Sequence, residues 1–519
     1  MQERYIATVD LGSSKLALCV AKVTGDNIQI LYYRERPSAG IRYSRVFNPK
    51  KAAAVLREAV DEAENELQIR ISQVVTGYPR HYVAQFTADG ELPKADRPRS
   101  IGEEDIRAIK SIALDTYPLD DPEREMLYGA VPQSFSADDF DGNEEDIIGV
   151  ESTTLKAHYK VFAGLRKPVS NLDPMFNSAG ISIANCLFLP VTTGDAVLKD
   201  DEKANGVGLL EVGAGVSSIS IWLGGMLRFY ASIPFGGKNI TSDIKLECAF
   251  DERLAENIKL GFGACLPDKL QNMGDKILQI NDEENGTYEN LSVKYLSEII
   301  TARSREIVRA ILYLIQESGF AERLRCGLVL TGGCADMANF AGLIKAESGY
   351  NVRKGIPVGR RFNAEGCAGV YNQSAAASVG MILACAADSH LNCTSADSLS
   401  EEETPSTTTE NAPSATTENS PATTAATTPA KPEPTNDASG SDEGGGIGSN
   451  GRLFDDDQID VVRPTGGSKT GRGGRTGGSG VRPPRTTKSS FIAIWKKGIG
   501  KVLNDSIGSL YDGMGENEN

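Results

Sequence analysis

Two short stretches, alike in chemistry and set about 200 residues apart, limit what this chain can become. The first is Val9-Asp10-Leu11-Gly12-Ser13-Ser14-Lys15-Leu16-Ala17-Leu18, and the second is Val207-Gly208-Leu209-Leu210-Glu211-Val212-Gly213-Ala214-Gly215-Val216-Ser217-Ser218-Ile219-Ser220-Ile221. In each, an acid precedes a glycine turn between two apolar strands. This is a hairpin and not a P-loop, because the chain returns as a strand. The turn needs glycine for backbone freedom. Its N–H groups and hydroxyls can hold phosphate oxygens, Lys15 adds a positive charge, and Asp10 can hold the water shell of a metal. Alone, either stretch is also compatible with an ordinary hairpin with a polar tip. Together, one at the start of each half, they can clamp a nucleotide's phosphates from opposite sides.

A third signal fits the same ligand. Gly327-Leu328-Val329-Leu330-Thr331-Gly332-Gly333-Cys334-Ala335 reads as a buried strand ending in a double glycine, where the backbone can lie flat against a purine and ribose. Between the second and third signals, Glu256 and Lys259 share one face of a helix. They are either a nucleoside contact or a plain i, i+3 ion pair.

A chain of 519 residues is too long for one core. To about residue 390, apolar runs rich in β-branched residues alternate with helical patterns, the mark of an α/β architecture. A net charge of -16 opposes sequence-independent binding to nucleic acid, so no nucleic-acid partner is expected. The nine cysteines are scattered without a C-x-x-C pair, which suits a reducing cytosol and offers neither a disulfide framework nor a zinc site. The first ten residues enter a strand at once, so no secretory signal is expected, and no apolar run is long enough to span a bilayer. His81, His158 and His390 stand beside no plausible nucleophile, so no catalytic histidine is expected.

Together these stretches resemble the sugar-kinase, Hsp70 and actin superfamily, and within it the FtsA family of bacterial cell-division proteins. The resemblance implies an α/β, actin-like two-lobed ATPase fold built on RNase H-like repeats, with ATP and Mg2+ as ligands. It assigns phosphate contacts to Asp10, Gly12, Ser13, Ser14, Lys15, Glu211, Gly213, Ala214, Gly215, Val216 and Ser217, and a water-mediated metal contact to Asp10 and Glu211. Glu256 and Lys259 become the nucleoside contact, and Gly332, Gly333 and Cys334 the adenosine motif. The stretch Ala375–Met381 resembles the helix that closes the first lobe. The segment from Tyr82 to Gly164, with Val131-Pro132-Gln133-Ser134-Phe135 and the strand Leu155–Phe162, resembles an extra subdomain that the FtsA family shares with PilM of type IV pili.

The implied boundaries follow. Residues 1–81 and 165–204 form the first-lobe core (subdomain 1A) and 82–164 the extra subdomain (1C). Residues 205–245 form the second-lobe core (2A) and 246–325 its small subdomain (2B). Residues 326–392 return through the second-lobe core and the closing helix. The pattern is departed from at Glu211, where Asp is usual, at Val216, where a threonine is usual, and at Ser218, where Asp is common. Leu189–Gly194 offers no carboxylate or glutamine to orient an attacking water, so slow hydrolysis or none is expected.

The remaining chain is of another kind. Residues 393–487 are poor in apolar residues and rich in Thr, Ser, Pro and Gly, and should be a disordered linker. Residues 488–510 turn apolar on one helical face through Phe491, Ile492, Trp495, Ile499, Val502 and Leu503, with Lys496, Lys497 and Lys501 on the flanks. Burial of such side chains at roughly 1.5–3 kcal/mol each, plus about 1 kcal/mol per lysine near anionic lipid, suits a reversible membrane anchor. Packing on the protein itself, or docking on a partner, is the alternative. By resemblance the partners are the C-terminal peptide of the tubulin-like protein FtsZ, further copies of this chain in filaments, an anionic membrane surface and later division proteins. Lys294 and Arg303, on an expected docking helix, are the candidates for the acidic peptide. The implied address is the cytoplasmic face of the cell membrane at midcell. The rival readings are a PilM-like assembly scaffold and a sugar kinase, the latter lacking a catalytic Asp and any use for the tail.

Overall fold

The structure is a computed structural model that describes residues 3–93, 96–117, 119, 121–282, 287–395 and 459–462. The expected anchor residues Phe491, Ile492, Trp495, Lys496, Lys497, Ile499, Lys501, Val502 and Leu503, and most of the expected linker, lie outside the described residues.

Local sequence explains the repeating unit. Strand Arg4–Leu11 turns through Gly12 and pairs antiparallel with Lys15–Thr24, which pairs antiparallel with Asn27–Pro37. Parallel strands Gln73–Gly77 and Ser182–Leu187 extend the other edge, giving a five-stranded sheet. The central strands are apolar on both faces and wholly buried at Ile6, Val9, Leu18 and Val20, as expected for a sheet covered by helices on both sides. One cover is helix Pro49–Leu67. Asn48 caps it by accepting from the Lys51 N–H at 3.0 Å, and Pro49 opens its first turn. Its Ala52, Leu56, Ala59, Val60 and Ala63 fall at helical spacing and pack toward Leu172, Met175 and Phe176.

The second lobe repeats this topology. Val207–Val212, Ser217–Leu223 and Met226–Ile233 form the antiparallel meander, and Leu328–Thr331 and Val352–Lys354 add in parallel. The two acid-glycine hairpins therefore occupy equivalent places in two copies of one fold, and the expected two-lobed arrangement is present. Helix Ala376–Ala386, apolar on all sides and almost wholly buried, lies where the lobes meet. The core around it draws Ile6, Cys19 and Ala21 from one sheet and Val207, Leu209 and Trp222 from the other.

The segment expected as an extra subdomain is a separate antiparallel sheet of Phe140–Gly142, Glu125–Ala137, Leu155–Leu165 and Val83–Leu92. Helix Glu103–Thr116 covers it over Ile109, Phe135 and Tyr159. His158 sits on its exposed face against Asp89, as a strand residue. The small subdomain of the second lobe holds helices Gly237–Cys248, Glu252–Phe262 and Val293–Glu317 and the hairpin Ile277–Asp282/Thr287–Ser292.

Two features differ from the sequence reading at the linker. The globular body continues past residue 392, because Cys393 is wholly buried and its N–H donates to the Tyr5 carbonyl at 2.7 Å. Within the segment expected to lack structure, Ile459–Val462 pairs antiparallel with Ile277–Ile280.

Candidate functional site

The two glycine turns meet across the cleft between the lobes. Ser13, buried at the tip of the first turn, accepts from the Ser44 N–H at 3.1 Å. A Cβ at Gly215, in the second turn, would lie 2.7 Å from Ser13 Oγ, so glycine there permits the contact between the two turns. The second turn is braced from behind by helix Gly237–Cys248, whose first N–H groups are given to it: Gly237 N–H to the Gly213 carbonyl at 2.9 Å and Lys238 N–H to the Ala214 carbonyl at 2.8 Å.

Beside the turns opens a cavity of about 750 Å³ whose walls include Ser14, Lys15, Gly213, Ala214, Glu256, Lys259, Gly333 and Cys334. All three sequence signals thus reach one space. Gly332 has φ +92° and a Cβ there would lie 2.5 Å from the Val212 carbonyl, so the third motif is held against the second hairpin by a backbone only glycine tolerates. Gly333 then presents bare backbone to the cavity opposite Lys15.

Glu256 and Lys259 form the ion pair that spacing allowed, at 2.7 Å, yet the pair is built into the cavity wall. Buried Lys259 also donates to Thr241 Oγ1 at 2.8 Å and to the Gly237 carbonyl at 3.1 Å, while the Thr241 hydroxyl donates to Glu256. Every Lys259 proton is committed, which fixes the ammonium at the edge of the cavity. Lys15 pairs with Glu35 at 2.6 Å, and Glu35 also accepts from Tyr33 and Ser374. Burial opposes ionisation of Glu35, but Lys15 and these hydroxyls outweigh it and hold the carboxyl below its ordinary range. Burial pushes the Cys334 thiol up to about 11, so it stays protonated.

Some expected contacts are placed elsewhere. The Ser217 hydroxyl, wholly buried in its strand, donates to the Phe235 carbonyl at 2.8 Å, and Val216 is buried. Arg303 is engaged by Asp243 at 2.6 and 2.9 Å and by Glu306 at 2.7 Å, whereas Lys294 is exposed on the same helix. In the first-lobe helix Leu189–Val197, which holds the segment expected to lack a catalytic acid, Asp195 is tied to Lys203 at 2.6 Å.

Arg80 was not singled out from the sequence and sits at the centre of the site. Almost wholly buried, it reaches Asp10 Oδ1 at 3.0 Å and Glu211 Oε1 at 3.2 Å, one acid from each lobe. Tyr230, on the second lobe, donates its hydroxyl to the Arg80 carbonyl at 2.5 Å, and neighbouring His81 joins Ser232 through Nδ1 at 3.0 Å. Burial raises the Glu211 pKa, Arg80 opposes that rise, and Asp10 adds to it. The two acids expected to face a metal therefore face a guanidinium, and this pair does not fit a bare divalent ion between them. Among the described residues, no group of three or more His, Cys, Asp or Glu is placed to hold a metal, and no helix is long and apolar enough to cross a membrane.

Comparison with known proteins adds to this geometry. The family profile described as "Cell division protein FtsA" matches residues 208–380. The chain is 30% identical over 365 residues to the FtsA of Neisseria meningitidis, covering 69% of this chain and 84% of that protein. It is 26% identical to the FtsA of Bacillus subtilis, covering 68% and 79% of the two, and 23% identical to that of Escherichia coli, covering 68% and 84%. Among solved structures, it is similar to a PilM-PilN type IV pilus biogenesis complex, with TM-score 0.48 and 18% identity over 73% of this chain and 98% of that one. It is also similar to MreB5 of Spiroplasma citri bound to ADP, with TM-score 0.41 and 11% identity over 74% and 96%.

Proposed function

Because this chain belongs to the FtsA family of cell-division proteins, we propose that it works as an ATP-binding, membrane-tethered adaptor that polymerises and anchors the FtsZ ring at midcell. The observation that carries the nucleotide part is the convergence of Ser14, Lys15, Gly213, Glu256, Lys259 and Gly333 on one cavity between two lobes of the same topology. An adenine triphosphate would place its phosphates at the paired glycine turns and its nucleoside against Glu256, Lys259 and the bare backbone at Gly333. Magnesium would arrive on the triphosphate as its counter-ion. With no carboxylate or glutamine offered by Leu189–Gly194 and Asp195 held by Lys203, nothing on that helix is free to activate water. Bound ATP then acts mainly by closing the lobes, and turnover is slow.

Residues 488–510 supply the tether. One copy binds lipid weakly and reversibly, and a filament presenting many copies binds by avidity, which links polymerisation to membrane residence. The small subdomain would receive the acidic FtsZ peptide, with exposed Lys294 as a cation on the docking helix. A fluorescent fusion tests the whole reading. The full chain should form a sharp midcell band that becomes diffuse when residues 488–519 are removed. A full chain that stays diffuse, or a truncation that keeps the band, contradicts the proposal, as does calorimetry that detects no ATP uptake.

A further inference from the structure

We infer that Arg80 is a resident cation, held between Asp10 and Glu211 in the position that a divalent metal would otherwise take between the two lobes. Two carboxylates facing one buried space repel one another and each loses hydration, so something positive must stand between them. The guanidinium does so at 3.0 and 3.2 Å, with its side chain only 8% exposed. The backbone that carries it is held across the cleft as well. Its backbone carbonyl is fixed by Tyr230 Oη and the next residue by Ser232, both on strand Met226–Ile233 of the opposite lobe. The same two residues thus bolt first lobe to second along one strand.

This gives the glutamate its reason. The sequence departs from the usual Asp at Glu211, and a longer acid on that strand reaches one bond further across the cleft. Here its carboxylate ends at Arg80 Nε as an ion pair. An Asp at this position would fall short of the guanidinium and leave it with one partner. Arginine suits the task because it stays charged when buried and its planar fork serves two carboxylates at once. The inference deepens the nucleotide reading above, since it states what balances the acids before a triphosphate enters, but its first test needs no nucleotide.

That test is Mn2+ binding to the full chain followed by electron paramagnetic resonance, with wild type compared to Arg80→Gln and Arg80→Met. Both variants remove the guanidinium, and Arg80→Met adds no polar group to the buried position, so it serves even if Arg80→Gln folds poorly. Wild type should take up no tightly held Mn2+, and both variants should bind it at least about tenfold more tightly as the acids are released. Equal Mn2+ binding by wild type and by a variant that melts cooperatively overturns the inference. A second arm measures ATP affinity with magnesium and with EDTA. Wild type should change by less than about threefold, while Arg80→Gln should lose about tenfold or more on chelation. Equal sensitivity of the two proteins to EDTA also overturns it. If ATP binds to neither protein under any condition, the nucleotide reading fails, and the Mn2+ result still decides the role of Arg80.

Discussion

Replacing Gly215 by alanine adds one methyl group at the contact between the two turns. That Cβ would lie 2.7 Å from Ser13 Oγ, 3.0 Å from Ser13 Cβ and 3.4 Å from the Tyr43 nitrogen. The first two distances are too short, and Ser13 has little room to retreat, because it is 6% exposed and its oxygen is held by the Ser44 N–H. The turns must separate. Overpacking of this kind costs about 1–3 kcal/mol. If separation removes the phosphate clamp, that cost falls on ligand binding, and at about 1.4 kcal/mol per tenfold it weakens ATP by roughly 5- to 150-fold. Isothermal titration on wild type, Gly215→Ala, Ser13→Gly and the double variant measures this directly. Removing the Ser13 side chain makes room for the new methyl, so the double variant should bind better than Gly215→Ala alone, a coupling that only touching residues show. If Gly215→Ala binds ATP within about twofold of wild type, the turns do not act as one clamp, and the paired-hairpin argument fails.

Further outcomes rest on other contacts. Lys259→Met keeps the length of the side chain but leaves Glu256 without its cation, so ATP affinity should fall about tenfold and the melting temperature should drop as well, read by calorimetry and thermal denaturation. His81 is held well below its ordinary value, at about 3, first by burial and then by Arg45. The unfolded chain therefore gains a proton near pH 6.5 that the folded chain refuses, so stability falls as pH drops through 6.5 toward 3, by up to about 1.4 kcal/mol per pH unit. His81→Asn should flatten that part of the pH–stability curve in urea denaturation, and an unchanged slope would count against it. Lys294→Glu should weaken co-pelleting with FtsZ polymers without changing the melting temperature, whereas Arg303→Leu should lower the melting temperature by stranding Asp243. Loss of co-pelleting by neither variant removes this helix from the docking site. Trp495→Glu should release the chain from anionic vesicles in a flotation assay, and retention would show that the anchor lies elsewhere.

Features written in neighbouring residues were legible before the fold was known. The glycine turns at Gly12 and Gly213, the helical spacing of Glu256 and Lys259, and the strand running into Gly332 are all set by backbone sterics and side-chain periodicity over a few residues. The extra antiparallel sheet was marked by resemblance, through Val131-Pro132-Gln133-Ser134-Phe135 and the strand Leu155–Phe162, rather than by any periodicity. Contacts that join distant parts of the chain were not. Arg80 meets acids 70 residues before it and far beyond it on the second lobe, and nothing beside it in Tyr78-Pro79-Arg80-His81 marks it as charged machinery. Arg303 read as a free cation on a helix face, until Asp243, on the helix packed alongside, claimed it. Ser217 followed a glycine turn as a phosphate ligand would, but the strand turns its hydroxyl to Phe235. Sequence alone determined where the glycine turns fall and which hydroxyls and charges stand beside them, because that is a property of residue type and local geometry. Only the tertiary structure decided which of them were already spent on each other, because a buried charge or hydroxyl must find its partner in space, wherever along the chain that partner lies.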